Sequence, residues 1–147
     1  MKPHAWYLIT TCVFLTSTTY AVDPNSFWPQ FHGPNRDNTS TERGLLNRWP
    51  LNGPPLLWTT RGLGHGFSSI SIANGMIYTA SSMGKHTVVI ALDLDGEILW
   101  QRENGPAWTG AHPGSRSTPT SDGNRLYHQN PHGDIICLTT TTGDIIW

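Results

Sequence analysis

Short runs of apolar and β-branched residues, separated by glycine-containing turns, recur through the second half of the chain. Eight strands are predicted, four in each of two units: 68–73, 76–81, 87–93 and 97–101, then 116–120, 125–129, 134–139 and 144–147. Asn74-Gly75 and Asp122-Gly123 separate the first two runs of each unit, and both pairs are typical of β-hairpin turns because they tolerate positive φ. No window of useful length has apolar residues at helical spacing. The pattern therefore predicts an all-β fold.

The two units form a repeat that ends in tryptophan, at 90–100 and again at 136–147, with a weaker echo at 56–58. Six residue pairs keep the same register: Ser69/Ser117, Gly75/Gly123, Tyr78/Tyr127, Leu92/Leu138, Gly96/Gly143 and Trp100/Trp147. A period of about 40–50 residues built from short strands is typical of β-propeller blades. We therefore predict four-stranded antiparallel blades and an incomplete propeller of about two of them.

The tryptophans have a predicted packing role. A large ring at the end of the outermost strand of a blade is expected to lie across the contact with the next blade. The glycine four residues earlier, Gly96 or Gly143, is expected to keep the turn tight enough for that ring. The alternative is a pair of ordinary core tryptophans in another β-sandwich, which the matched period and register disfavour.

The same residues resemble a known motif. Residues 91–100, A-L-D-L-D-G-E-I-L-W, are similar to the tryptophan-docking motif of the pyrroloquinoline-quinone (PQQ) type β-propeller repeat, Ala-x-Asp-x-x-Thr-Gly-x-x-x-Trp. The matching residues are Ala91, Asp93, Gly96 and Trp100 in the first unit, and Thr142, Gly143 and Trp147 in the second. The first turn is one residue shorter than the motif. Cys137 and Thr139 stand where Ala and Asp are usual.

Other segments extend the resemblance over residues 28–147. The opening W-P-Q-F-H-G-P-N-R-D at 28–37 is similar to the segment that begins many secreted bacterial proteins of this class. Residues 114–120 and 131–134 resemble blade segments of the same group. The resemblance is specific for the repeat superfamily and unspecific for activity.

Residues 1–21 are predicted to be a signal peptide. Lys2 is followed by a short apolar stretch at 5–16, and Thr19-Tyr20-Ala21 forms a plausible cleavage site. A lipidated Cys12 is the alternative, but Thr11 is a poor residue before a lipidated cysteine. No segment is apolar enough to span a bilayer, so an integral membrane protein is not expected. The predicted location is outside the cytoplasm, in the periplasm or the extracellular space.

The rest of the chain divides into an N-terminal extension at 22–66, with a closing strand near Trp58, and two blades at 67–101 and 114–147. Propellers close with about four to eight blades. The chain is therefore expected to be truncated, with the remaining blades supplied by a longer chain or by self-association.

Cysteine content and charge narrow the function classes. Cleavage after Ala21 leaves one cysteine, Cys137, so no internal disulfide is expected. It also leaves a small excess of Asp and Glu over Lys and Arg, which provides no basic surface for nucleic acid. Cys137 is expected to replace Ala as a small buried residue.

A few single residues and one glycine run suggest metal-binding or anion-binding sites. His128, His132 and Cys137 superficially resemble a zinc set, but His132 lies in a predicted turn, so we expect no metal site. His65 and His112 are expected in loops. The G-x-G-x-G run at 62–66 lacks the helix that a phosphate-binding loop needs and is interpreted as a flexible connector. Arg116 begins an inner strand and is expected to face the axis, where an anion would fit.

The resemblance implies two functions. The PQQ-dependent alcohol and sugar dehydrogenases hold the quinone over Ca²⁺, with an adjacent-cysteine disulfide, a stacked Trp, Glu and Asn ligands and an Asp base; the lone Cys137 does not match that set. Other relatives are propeller subunits that bind proteins through their loops. We therefore predict an exported binding or scaffold module without catalysis, which contacts protein partners through its inter-blade loops, of which residues 104–114 form one. The alternative is the N-terminal fragment of a PQQ-dependent dehydrogenase. No catalytic or metal residue is assigned.

Overall fold

The first four strands form one antiparallel sheet. The computed structural model describes Asp23 and residues 25–147, so the predicted signal peptide lies outside the described residues. The sheet has the order β1-β2-β3-β4, with β1 Ser71–Ala73, β2 Met76–Met83, β3 His86–Asp93 and β4 Ile98–Pro106. Asn74 and Gly75 both have positive φ, as the predicted hairpin between β1 and β2 requires. This sheet is the first blade.

The next three strands form a second antiparallel sheet, the second blade. It has the order β5-β6-β7, with β5 Thr120–Asp122, β6 Arg125–Gln129 and β7 Ile135–Thr139. The described residues contain no helix, so they include no helix that is long and apolar enough to cross a membrane. The predicted all-β fold, built from consecutive antiparallel blades, is confirmed as two partial blades without a closed propeller.

The ends of several strands differ from the prediction. β4 continues to Pro106 rather than residue 101, because it stays paired with β3 as far as Glu103 and pairs again at Pro106 after a bulge. β5 begins at Thr120 rather than residue 116, and Pro119 just before it has no N–H to donate to a ladder.

The fourth strand predicted at 144–147 is only an isolated bridge between Ile145 and Leu138. The hydroxyl of Thr139 accepts the N–H of Asp144, so a side chain takes the place of the first ladder bond. The N–H of Ile146 donates to the carbonyl of Cys137, and the N–H of Cys137 donates to the carbonyl of Trp147. These two backbone hydrogen bonds keep the segment beside β7.

The core has two layers, one on each face of the first blade. Between the two blades lie Ala73, Tyr78, Val89, Ala91, Leu126, Ile136 and Leu138. On the opposite face of the first blade lie Ile77, Val88, Ile90 and Leu92, with Leu63 and Ile72 packed against them. Six consecutive residues are buried in both β2 and β3, because each of these strands is covered on both faces.

The N-terminal extension joins the first strands of the two blades. Trp28 and Ile72 exchange two backbone hydrogen bonds of 2.8 Å, and the N–H of Ser121 donates to the carbonyl of Pro29 at 2.8 Å. Residues 55–64, which include the predicted closing strand near Trp58, form no strand. They reach the first blade through side-chain contacts instead.

Candidate functional site

Alternate residues of β4 face the second blade and form the blade seam, defined as Trp100, Arg102 and Asn104 with their contacts. The indole N–H of Trp100 donates to the carbonyl of Thr140 at 3.1 Å. The Nε–H of Arg102 donates to the carbonyl of Gly143 at 2.7 Å. The intervening residues of the strand are exposed. The period of two along β4 therefore directs one face of the strand into the seam.

The ring of Trp100 lies directly on Gly143. A Cβ built at Gly143 would be 2.6 Å from Cε3 of Trp100, closer than two such atoms approach. The Trp100 ring therefore lies across the contact between the two blades. Gly143 thus makes room for the tryptophan of the preceding unit, a role that the sequence pattern did not predict.

The same arrangement occurs one unit earlier, between the extension and the first blade. A Cβ at Gly96 would be 2.6 Å from Cε3 of Trp58, and the hydroxyl of Thr60 donates to the carbonyl of Gly96 at 2.6 Å. Thr60 and Arg102 each come two residues after a tryptophan, and they donate to the carbonyls of Gly96 and Gly143, which hold equivalent positions in the two units. Residues 58–60 therefore occupy the position of a preceding blade, although they form no strand.

The turns that contain Gly96 and Gly143 are each closed by one side chain. Oδ1 of Asp93 accepts the N–H of Glu97 at 2.8 Å, and Oγ1 of Thr139 accepts the N–H of Asp144 at 3.0 Å. Thr139, which stands where aspartate is usual, thus makes in the second turn the bond that Asp93 makes in the first.

The far end of the seam is a buried polar cluster. Nδ2 of Asn104 lies 2.9 Å from Nδ1 of His128 and donates to the His128 carbonyl at 3.1 Å. Nδ2 of Asn130 donates to the Asn104 carbonyl at 3.0 Å and to Asp134 at 2.8 Å. Burial lowers the pKa of His128 to about 4, partly opposed by contact with the Ser117 backbone. His128 is therefore a neutral structural group at pH 7.

The three residues whose spacing superficially resembles a zinc set do not converge. His128 is buried in β6, His132 is exposed in the following turn, and Cys137 is buried in β7 opposite Tyr127. Among the described residues, no three His, Cys, Asp or Glu side chains are grouped as metal ligands.

Because β4 continues to Pro106, the inter-blade loop predicted at 104–114 lies at 106–116 instead, and it is held by its own side chains. The indole N–H of Trp108 donates to the carbonyl of Ala111 at 3.0 Å. Nη2 of Arg116 donates to the carbonyls of Ala111 and His112 at 3.1 and 2.6 Å. The Arg116 guanidinium also lies 6.0 Å from the centre of the Phe67 ring. Arg116 thus orders the loop, and an anion at this residue stays a prediction.

Gly64 and Gly66 of the glycine run at 62–66 are closely packed, which corrects the interpretation of this part as a flexible connector, whereas a Cβ at Gly62 would meet nothing within 4 Å. A Cβ at Gly64 would be 2.5 Å from the Ser82 carbonyl oxygen, and one at Gly66 would be 2.7 Å from that of Ser115. His65 between them exchanges two backbone bonds with Ser82. These glycines are required by space, since the segment passes between the two blades.

Large apolar side chains remain exposed on both flanks of the two blades. Those of the extension are Leu45, Leu46, Trp49, Leu51, Leu56 and Leu57, and those beside β7 are Ile135, Ile145, Ile146 and Trp147. Trp147 packs on Tyr127 with ring centres 6.1 Å apart, as Trp100 does on Tyr78 at 6.2 Å. Yet 59% of Trp147 is exposed, because no described glycine turn covers it.

The fold and these contacts define a β-propeller repeat protein. A family model described as outer membrane protein assembly factor BamB matches residues 41–147, which include both blades and the Trp58 segment. The chain belongs to this family of PQQ-like β-propeller repeat proteins. No curated protein matches the chain significantly.

Proposed function

We propose that the chain is an exported propeller module that binds a protein partner through its inter-blade loop and carries out no chemistry itself. The family assignment supports a propeller module, and its description names an assembly factor. The observation that carries the proposal is the 106–116 loop, which the side chains of Trp108 and Arg116 hold in one shape. A loop ordered in advance loses less conformational entropy when a partner binds it.

The surface next to this loop has the composition of a protein contact. Phe67 is 64% exposed and lies under the Arg116 guanidinium, and Trp108 is half-buried beside His132 with ring centres 6.0 Å apart. Tryptophan and arginine are enriched among the residues that dominate binding energy at protein interfaces. Phe67, Trp108 and Arg116 therefore form the proposed contact surface.

Site-specific photo-crosslinking in the source cells tests this surface. A photoreactive residue at Thr109, in the loop, is expected to give an adduct of discrete mass with another protein. The matched control is Asn124, which is exposed in the turn at the opposite end of β6. Adducts at neither position, or equal adducts at both, would contradict partner binding by the loop.

Catalysis and export are tested separately. The natural protein is incubated with PQQ and Ca²⁺, and quinone absorbance retained after gel filtration, together with dye reduction by an alcohol or sugar, would reject the non-catalytic proposal. For export, the protein from the cell envelope is expected to begin at Val22. A mature protein that still carries residues 1–21 would contradict cleavage of the signal peptide.

A further inference from the structure

Residues 28–38 form a compact loop that is folded onto its own tryptophan. A Cβ at Gly33 would be 2.7 Å from Cη2 of Trp28, so the loop closes over the indole ring. Its backbone is tied by bonds from Gly33 N–H to the Gln30 carbonyl and from Asn38 N–H to the His32 carbonyl, both 3.0 Å. Because Trp28 is also paired with β1, this 28–38 loop has a fixed position at the first strands of both blades.

The loop holds residues in backbone conformations that favour glycine. His32, Arg36 and Asn38 have φ of 68°, 59° and 58°, all in the left-handed region. Such conformations persist only where surrounding contacts impose them, and they cluster at ligand sites. Here they place the side chains of His32 and Arg36 at one cavity.

The cavity lies between the 28–38 loop and the second blade. It has a volume of about 270 Å³ and is lined by Gln30, Phe31, His32, Arg36 and Thr120. Thr120 belongs to β5, so the inner strand of the second blade and the 28–38 loop together define the site. The Phe31 ring is 57% exposed and lies 4.0 Å from the imidazole of His32, centre to centre. The lining thus combines an apolar ring with polar and basic groups.

Arg36 is oriented but not neutralised. Its Nε donates to Oε1 of Gln30 at 3.1 Å, and Nε2 of Gln30 donates to the Pro34 carbonyl at 3.2 Å, which fixes the amide. Within the described residues neither Nη of Arg36 has an acceptor, and Arg36 makes no ion pair. The adjacent carboxylate of Asp37 accepts the N–H of Thr39 instead. The outer edge of the guanidinium is therefore available to an external acceptor.

We propose that this cavity binds a carboxylate whose apolar substituent packs on Phe31. Arginine matches the two oxygens of a carboxylate with two parallel hydrogen bonds. A single fixed guanidinium suits a monoanion, and the volume suits a carboxylate with one side chain. A small aromatic acid and the C-terminus of a peptide both present this chemistry. The site does not depend on partner binding by the inter-blade loop.

NMR titration of the full chain with three probes tests the site. The probes are phenylacetate, N-acetyl-Ala-Phe and N-acetyl-Ala-Phe-amide, observed at the side-chain resonances of Arg36 and His32. At least one of the two carboxylates is expected to give saturable shifts and to bind about tenfold or more tightly than the amide. Preference between phenylacetate and the peptide acid identifies the source of the carboxylate. Equal binding of the acid and the amide peptide, or no saturation by either acid up to about 10 mM, would overturn the proposal.

Variants separate the guanidinium from general charge. Arg36→Gln is expected to weaken carboxylate binding about tenfold or more, and Arg36→Lys to restore only part of it. Arg43→Gln removes an exposed charge of the same extension and is expected to bind like the unchanged chain. Near-UV circular dichroism of Trp28 and its neighbours checks that each variant keeps its fold. Equal affinities of a folded Arg36→Gln variant and Arg43→Gln would refute the site.

Discussion

Substitution of Gly143 by alanine should lower the free energy of unfolding by about 2–4 kcal/mol. The new Cβ would lie 2.6 Å from Cε3 and 2.7 Å from Cδ2 of Trp100, so the ring must move. Its movement disrupts the 3.1 Å bond to Thr140, which contributes about 1 kcal/mol, and loses packing of similar magnitude. The left-handed φ of 67° adds about 1 kcal/mol for any L-residue with a side chain.

Gly123→Ala is the matched control for this substitution. Gly123 also has a left-handed φ, 60°, but a Cβ there would have no atom within 4 Å. Alanine at this position therefore bears the backbone strain without the collision and should cost only about 1 kcal/mol. The difference between the two variants measures displacement of the Trp100 ring.

Urea unfolding monitored by tryptophan fluorescence gives these free energies. Combining Gly143→Ala with Trp100→Ala in a double-mutant cycle should show a coupling of about 1–2 kcal/mol, because removing the ring removes the collision. Equal costs of Gly143→Ala and Gly123→Ala, or zero coupling with Trp100, would refute close packing of the seam.

Three further predictions concern buried groups. Burial lowers the pKa of His128 from 6.5 to about 4, so between these pH values the unfolded chain binds a proton that the folded chain does not. Stability should fall by about 2 kcal/mol between pH 7.5 and pH 5 in urea titrations, and His128→Gln should remove that part of the decrease; an unchanged pH dependence in the variant would contradict it. Cys137→Ala should cost about 1 kcal/mol or less in the same assay, because Ala91 fills the equivalent buried position, and a larger loss would argue against equivalence. Thr60→Val should cost about 1 kcal/mol by removing the bond to Gly96, and a neutral result would place residues 58–60 away from the first blade.

Much of the strand pattern follows from local sequence. The range 125–129 predicted for one strand is that of β6, and Asn74-Gly75 forms the turn predicted from two residues that accept positive φ. The second hairpin differs slightly, because Asp122 pairs with Arg125 and the loop residues are Gly123 and Asn124. Burial of Cys137 was also predictable, since the repeat aligns it with Ala91, a small residue that is buried in the first blade.

The candidate sites were less predictable. Arg116 could be noticed as a cation near an inner strand, but its bonds to the loop carbonyls depend on how residues 111 and 112 fold back. Arg36 lies in the segment 28–37, which the sequence identifies only by its similarity to the opening segment of related proteins. The cavity beside Arg36 also requires Thr120 of the second blade, and no local sequence pattern associates that residue with the 28–38 loop.

The sequence by itself determined the all-β class, the two repeated units and the principal hairpins, because strand alternation and turn chemistry act over a few neighbouring residues. Only the tertiary structure decided which tryptophan lies on which glycine. Trp100 and the Thr140 carbonyl that it bonds are 40 residues apart, and the same ring fills the space above Gly143. That pairing depends on how one blade stacks on the next. The same stacking accounts for the close packing of Gly64 and Gly66 and for the position of the 28–38 loop at the first strands of both blades. Each of these features arises where segments that are distant in the sequence meet.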